Sequence, residues 1–134
     1  MGVNIHCGKH EGMDMSYSTF DLWRVQLAKA LNSTFGEEYK KWLYNFRPTK
    51  EAIERFETAC TITNELTQEL FDFFTMSDCE GKISSKTSKQ LLPLIEKLQD
   101  DYKIGYLGIC PYSKDFVMDF FKYSVKHHAN VWWD

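Results

Sequence analysis

Large apolar side chains recur every three or four residues along most of this chain, and this spacing constrains the fold more than any other feature. The pattern is typical of amphipathic helices that share one core. Each apolar stripe follows polar residues of the kind that cap a helix. We predict helices capped by Ser18, by Thr34 together with Glu37, by Thr49, by Ser84 or Ser85, and by Ser113.

The helix predicted after Thr49 contains a weak point. Residues 60–64 (Cys-Thr-Ile-Thr-Asn) are poor helix formers, so residues 49–76 form either one helix or two. Pro93 lies within the next predicted helix, where it produces a kink or marks the true start. Residues 103–111, with two glycines and a proline, are predicted to form a loop.

Both ends of the chain contain short segments that favour β-strands. Residues 3–7 alternate apolar and polar side chains, and residues 130–134 include Val131, Trp132 and Trp133. A single strand leaves its backbone hydrogen-bonding groups unpaired. We therefore predict that 3–7 pairs with 130–133. The expected fold is mainly α (α+β), with about five helices and a small two-stranded β-ribbon that joins the N- and C-terminal segments.

Length, charge and hydropathy restrict the class of protein. The 134 residues fit a single domain, 1–134, and the content of 43% hydrophobic and 26% charged residues is typical of an ordered chain. The formal net charge is −3, with no uninterrupted basic block, so we expect no binding to duplex nucleic acid. We expect a cytoplasmic protein without a membrane partner, because neither a signal peptide nor a bilayer-spanning apolar stretch is evident.

An acidic turn that begins at Asp78 is the first candidate for a binding site. With Gly81 at the sixth position of a calcium-binding loop, Asp78 and Glu80 occupy positions three and five. The first and twelfth positions are then Met76 and Thr87, and neither supplies the carboxylate that such a loop needs. The turn is better explained as the start of a helix, where acids favour the helix dipole.

His6, Cys7 and His10 form a second candidate site, in which Cys7 and His10 have a zinc-like spacing. His127 and His128 would add ligands if the chain ends meet. Structural zinc takes four ligands, which usually arrive as close pairs, and within a strand His6 and Cys7 point to opposite faces. We therefore expect no metal and no other cofactor, and His6, Cys7 and His10 stand as the metal candidates.

Aromatic and cationic side chains provide a third candidate site. Trp or Tyr beside Arg can stack on planar anions such as nucleotides. Within a terminal strand Trp132 and Trp133 point to opposite faces, so one of them lies near the surface and marks a ligand or interface site. The predicted ligand-binding residues are Tyr17, Arg24, Asp78, Cys79, Glu80, Trp132 and Trp133.

Three short motifs resemble a family of small bacterial and phage proteins. The opening Met-Gly-Val-Asn-Ile-His-Cys-Gly-Lys, with Ser-Tyr-Ser at 16–18, resembles the Met-Gly-Leu-Asp-Ile start of that family. Residues 76–81, Met-Ser-Asp-Cys-Glu-Gly, resemble its central His-Ser-Asp-Cys-Asp-Gly box, and 131–133 resemble its hydrophobic terminal strand. Met76 stands where the box begins with His, so any role of that His is lost here. The resemblance implies the same fold and assigns no activity.

The sequence contains no assembled catalytic motif, and the acids on either side of Cys79 disfavour a reactive thiolate. We expect a non-catalytic binding domain, an accessory protein of a phage or mobile element, that binds a small nucleotide-like ligand or a host protein. Two alternatives are open. One is a metal-dependent hydrolase that uses Asp78 and Glu80 with His6 and His10; the other is a structural protein that forms a homo-oligomer.

Overall fold

The computed structural model describes residues 2–99 and 112–134. The loop predicted for residues 103–111 lies outside the described residues. The described ranges contain six helices and four strands. In chain order these are β1 (Gly2–Cys7), β2 (His10–Ser16), α1 (Tyr17–Leu31), α2 (Ser33–Tyr44), α3 (Lys50–Ile62), α4 (Gln68–Thr75), β3 (Gly81–Ile83), α5 (Ser85–Glu96), α6 (Lys114–His127) and β4 (Val131–Trp133).

The four strands form one antiparallel sheet in the order β2-β1-β4-β3. The predicted pairing of the two chain ends is present, with Ile5 opposite Trp133. Asn4 and Asp134 also exchange two backbone hydrogen bonds, of 3.0 and 3.1 Å. The predicted two-stranded ribbon is therefore the centre of a larger sheet.

Two further strands extend this ribbon, and glycines permit both additions. β2 follows β1 through a tight turn at Gly8, whose φ of +53° lies in the left-handed region that favours glycine. On the other side, β3 pairs with β4 and places Gly81 opposite Trp133. A Cβ atom at Gly81 would overlap the indole ring of Trp133, so this close contact requires glycine.

The predicted capping positions of α3, α5 and α6 are correct, although the Ser84 side chain makes no capping hydrogen bond. The side chains of Thr49 and Ser113 accept hydrogen bonds from backbone N–H groups in the first turns of α3 and α6, and Ser84 immediately precedes α5. The weak point after Cys60 is a true break, because α3 ends at Ile62 and α4 begins at Gln68. Pro93 lies well inside α5 and does not mark its start.

The predicted caps Ser18 and Thr34 are wrong by two residues each. Ser16 caps α1, because β2 runs up to this residue and the helix begins directly after it. Asn32 caps α2 with its side chain and also ends α1, since the two helices are joined by this single residue. In both places several residues of capping type lie close together, and the tertiary connection selects one of them.

The core lies between one face of the sheet and the helices. Side chains alternate along the strands, so every second residue points inward and the others point to solvent. The exception is an irregularity in the β1–β2 pairing, where Glu11 and Gly12 are both exposed. None of the helices in the described residues has the length and apolar character needed to cross a membrane. The inward-facing strand residues are Val3, Ile5, Cys7, Met13, Met15, Ile83, Val131 and Trp133.

Candidate functional site

The solvent-facing side of the sheet presents a row of three side chains from neighbouring strands. Lys82 lies opposite Trp132, and Trp132 lies opposite His6. The rings of His6 and Trp132 are stacked, with 4.0 Å between their centroids and 24° between their planes. Trp132 is 42% exposed. The row therefore runs from an ammonium group through an indole to an imidazole.

A second row of polar side chains lies beside the first. Asn4 is opposite Asp14 on one side and is joined to Asp134 by backbone hydrogen bonds on the other. Oδ1 of Asp134 is 3.3 Å from Nε2 of His6, so this carboxylate orients the imidazole ring. All three residues of the second row are exposed. Together they offer carboxylate and amide oxygen acceptors and the two N–H donors of the Asn4 amide.

Gly12 ends the first row beside His6. A Cβ atom at Gly12 would lie 2.9 Å from the carbonyl oxygen of Ile5 and 3.9 Å from Nδ1 of His6. Glycine thus lets β1 and β2 approach closely and leaves a gap next to the imidazole. A planar ring placed over Gly12 would extend the stack of His6 and Trp132. We define Asn4, His6, Gly12, Asp14, Lys82, Trp132 and Asp134 as the open-face site.

The acidic turn packs against helix α1, which carries Asp21 and Arg24. The carboxyl of Asp78 lies near enough to Asp21 to raise its pKa, and Nη2 of Arg24 donates to Oδ1 of Asp21 at 2.9 Å. Arg24 is 1% exposed. Its Nη1 also donates to the backbone carbonyls of Phe73 at 3.2 Å and Met76 at 2.7 Å. Arg24 therefore holds the end of α4 against α1 and is not open to a ligand.

Asp21 is a residue of this cluster that the sequence analysis missed. Burial raises the pKa of Asp21 above its usual value; the guanidinium of Arg24 opposes the rise and the carboxyl of Asp78 adds to it. The spacing of three residues between Asp21 and Arg24 on one helix was the available indication of an ion pair. The approach of Asp78 depends on tertiary structure alone.

Trp133 fastens the acidic turn to the C-terminal strand. Its indole is 2% exposed, and Nε1 donates to the backbone carbonyl of Ser77 at 3.0 Å. Cys79 and Glu80 are exposed on the turn, where Sγ of Cys79 donates to Oδ1 of Asp78 at 3.4 Å. The turn and the chain ends thus meet in the sheet. Trp133 itself is part of the core and cannot stack on a ligand.

The remaining predicted residue, Tyr17, is half-buried at the first position of α1. Of the seven predicted ligand-binding residues, Trp132 lies in the open-face site and three others are accessible on or near the turn. Arg24 and Trp133 are buried and have structural roles. The structure adds Asn4, His6, Gly12, Asp14, Lys82 and Asp134 to the surface around Trp132.

The metal candidates do not converge on one point. His6 lies on the open face of the sheet, whereas Cys7 is fully buried on the other face. The ring of His10 makes edge contacts with Phe116 and Phe120 on α6. Burial raises the pKa of the Cys7 thiol, which disfavours the thiolate that a metal would bind. Among residues 2–99 and 112–134, no three His, Cys, Asp or Glu side chains are placed to hold a metal ion.

No protein-family model, curated protein or solved structure matches this chain. The motif resemblance to small bacterial and phage proteins stays a prediction.

Proposed function

We propose that this chain is a non-catalytic binding domain whose open-face site takes a nucleotide-like ligand. The observation that supports this best is the stacked and exposed pair of His6 and Trp132. Stacking of a base on an aromatic side chain contributes about 1–3 kcal/mol and tolerates any base, since each base has a π-face. A ring pair already aligned on a rigid sheet loses little entropy when a third ring joins it.

The parts of a nucleotide have counterparts along the row. The base would lie over Gly12 against the imidazole of His6. Its exocyclic amine or ring N–H groups would donate to the carboxylate of Asp14 or the amide oxygen of Asn4. The ammonium group of Lys82 would pair with phosphate. Strands are about 4.8 Å apart, so Lys82 is roughly 14 Å from Gly12 across the sheet. A ribose with two or more phosphates can span this distance. The flexible Lys82 side chain can also reach toward the ligand and shorten it.

Ionisable and nucleophilic side chains outside the open-face site, such as Asp21, Arg24 and Cys7, make structural contacts, which favours binding over catalysis. Asp21 and Arg24 are paired with each other, and Arg24 also binds backbone carbonyls at the end of α4. The Cys7 thiol is buried under the sheet. A general acid or base must reach the proton that it transfers, and these groups are instead engaged in packing.

Isothermal titration calorimetry against nucleoside mono-, di- and triphosphates tests the proposal. We expect binding of at least one nucleotide, and about tenfold or greater weakening in His6→Ala, because the stacking contact with the base is lost. Trp132→Ala should also weaken binding, because the imidazole loses the indole on which it is stacked. Trp132→Phe retains a planar ring and most of the affinity. Phe46→Ser alters an exposed aromatic residue between α2 and α3, away from the sheet, and serves as the matched control without effect.

Two results would contradict this proposal. The absence of heat with every nucleotide would exclude the ligand class. Heat that persists unchanged in His6→Ala and in Trp132→Ala would place the binding site elsewhere on the molecule.

A host protein is the second candidate ligand, because an exposed Trp is a frequent centre of binding energy at protein interfaces. The proposed accessory role in a phage or mobile element is compatible with either ligand. The exposed Trp132 also fits the structural alternative, in which a second copy of the chain is the partner. Light scattering would then show a defined oligomer that Trp132→Ala converts to monomer.

A further inference from the structure

The connection between α2 and α3 contains the most exposed large apolar side chain of the described residues. Phe46 is 93% exposed, and Tyr44, the last residue of α2, is 48% exposed. A ring at 93% exposure contacts almost nothing in its own protein. The Phe46 side chain therefore contributes little to the core and is accessible to a binding partner.

The connection has a defined shape. The backbone N–H of Arg47 donates to Oδ1 of Asn45 at 3.2 Å, which is the hydrogen bond of an Asx turn. Thr49 then caps α3. Phe46 lies within the turn between these two contacts, so the local hydrogen bonds hold its ring out from the protein.

The same segment is strongly cationic although the whole chain has a net charge of −3. The nearest acids in sequence are Glu37, Glu38, Glu51 and Glu54. Glu37 pairs with Lys29 outside the segment, and Glu38 lies 3.5 Å from Lys41. Such an exposed pair contributes little. Residues 39–50 contain no Asp or Glu and four exposed cations: Lys40, Lys41, Arg47 and Lys50.

We propose that this connection binds an anionic lipid surface, with the Phe46 ring entering the headgroup region and the cations pairing with lipid phosphates and carboxylates. Aromatic residues with flanking Lys and Arg are the combination that binds at bilayer interfaces. Each Lys or Arg near an anionic leaflet strengthens binding by about fivefold. The contact is peripheral and reversible.

The exposure of Phe46 favours a lipid surface over a nucleic acid. Single-stranded nucleic acids are usually bound by aromatic platforms that line a basic groove, whereas the Phe46 ring protrudes at 93% exposure. A bilayer deforms around a protruding ring. The expectation of no membrane partner rested on the lack of a spanning segment, and a peripheral contact needs none. The proposal is independent of the open-face site.

Co-sedimentation of the full chain with vesicles tests this proposal. We expect binding to phosphatidylcholine vesicles only when they also contain phosphatidylserine, and weaker binding at high salt. Phe46→Ser should reduce the partition coefficient by about tenfold, because the buried ring is lost. The double change Lys40→Gln and Arg47→Gln should reduce it by about twenty-five-fold.

Two matched controls separate this segment from general effects. Ile62→Ser removes another exposed apolar side chain, 64% exposed at the opposite end of α3. Lys122→Gln with Lys126→Gln removes two exposed cations from α6. Both controls should bind like the wild-type chain. Circular dichroism confirms that all variants are folded.

Three outcomes would overturn the proposal. The first is no binding of the wild-type chain to the mixed vesicles. The second is an equal loss in the α6 control pair, which would indicate net charge as the cause. The third is Phe46-dependent binding of a single-stranded oligonucleotide without binding to vesicles, which would assign the segment to nucleic acid.

Discussion

Asp21 lies in an environment that resists its negative charge. Burial raises its pKa, and the Asp78 carboxyl adds to the rise that Arg24 opposes. An acid whose native pKa exceeds its unfolded value binds its proton more tightly in the native state. Its contribution to stability is complete below the pKa of an unfolded Asp. That contribution is lost as the pH rises through the higher native pKa.

The variant Asp21→Asn tests this linkage. The amide oxygen still accepts from Arg24 but does not titrate. We expect the free energy of unfolding of the variant, relative to wild type, to rise with pH above the usual Asp pKa and to level off past the native pKa of Asp21. Urea titrations over a pH series measure the difference. Asp119→Asn, an exposed acid on α6, is the control, and a relative free energy that is flat or falls with pH contradicts the account.

Gly81 is the second residue whose identity the fold constrains. Gly81→Ala forces a methyl group into the indole of Trp133, and overpacking of this kind costs about 1–3 kcal/mol. Trp133→Phe removes the part of the ring that the methyl meets, so the double variant should be more stable than the sum of the two single changes predicts. Chemical denaturation measures all three variants. If the changes in unfolding free energy of the two single variants simply add in the double variant, the contact with Trp133 is not the reason that position 81 requires glycine.

At the scale of elements, Arg24 joins α1 to the end of α4. Arg24→Met leaves Asp21 beside Asp78 without a cation and removes the donor to the carbonyls of Phe73 and Met76. Removal of one partner from a buried ion pair costs about 3–5 kcal/mol, which thermal or urea unfolding measures. Arg55→Met is the control, because Arg55 is exposed and 4.0 Å from Glu38; it should cost less than about 1 kcal/mol. If Arg24→Met and Arg55→Met lose similar amounts of stability, Arg24 does not anchor α4 to α1.

The helices were largely predictable because apolar stripes and capping residues are local features. Two strands were not. β2 alternates Gly, Met, Asp, Met and Ser, which has the period of a strand but lacks the β-branched residues that favour one; the turn at Gly8 and the pairing with β1 override that preference. β3 has three residues, too few to show a period.

The candidate site was predictable only in part. Alternation along the last strand correctly placed one Trp at the surface and the other inside, and the pairing of the chain ends followed from the need to satisfy strand backbones. The neighbours Lys82 and His6 could not be placed beside Trp132, because their alignment depends on the register of three strands that are distant in sequence. Arg24 was expected to bind a ligand, but burial gives it a structural partner instead.

At the scale of the whole molecule, the sheet unites segments that are far apart in the chain. β4 lies between β1 and β3, so one short C-terminal strand creates the face on which His6, Trp132 and Lys82 are neighbours. The proposed lipid contact at Phe46 lies on the connection between α2 and α3, outside this sheet. The two proposals therefore involve separate surfaces and can fail separately.

The most direct test of the open-face site is an NMR titration of the ¹⁵N-labelled full chain with the nucleotide that binds best. We predict that the indole N–H signal of Trp132 and the backbone signals of His6 and Lys82 shift together and saturate. The indole signals of the buried Trp23 and Trp133 should change far less. Shifts confined to another surface, with the Trp132 signal unmoved at saturation, would contradict the account.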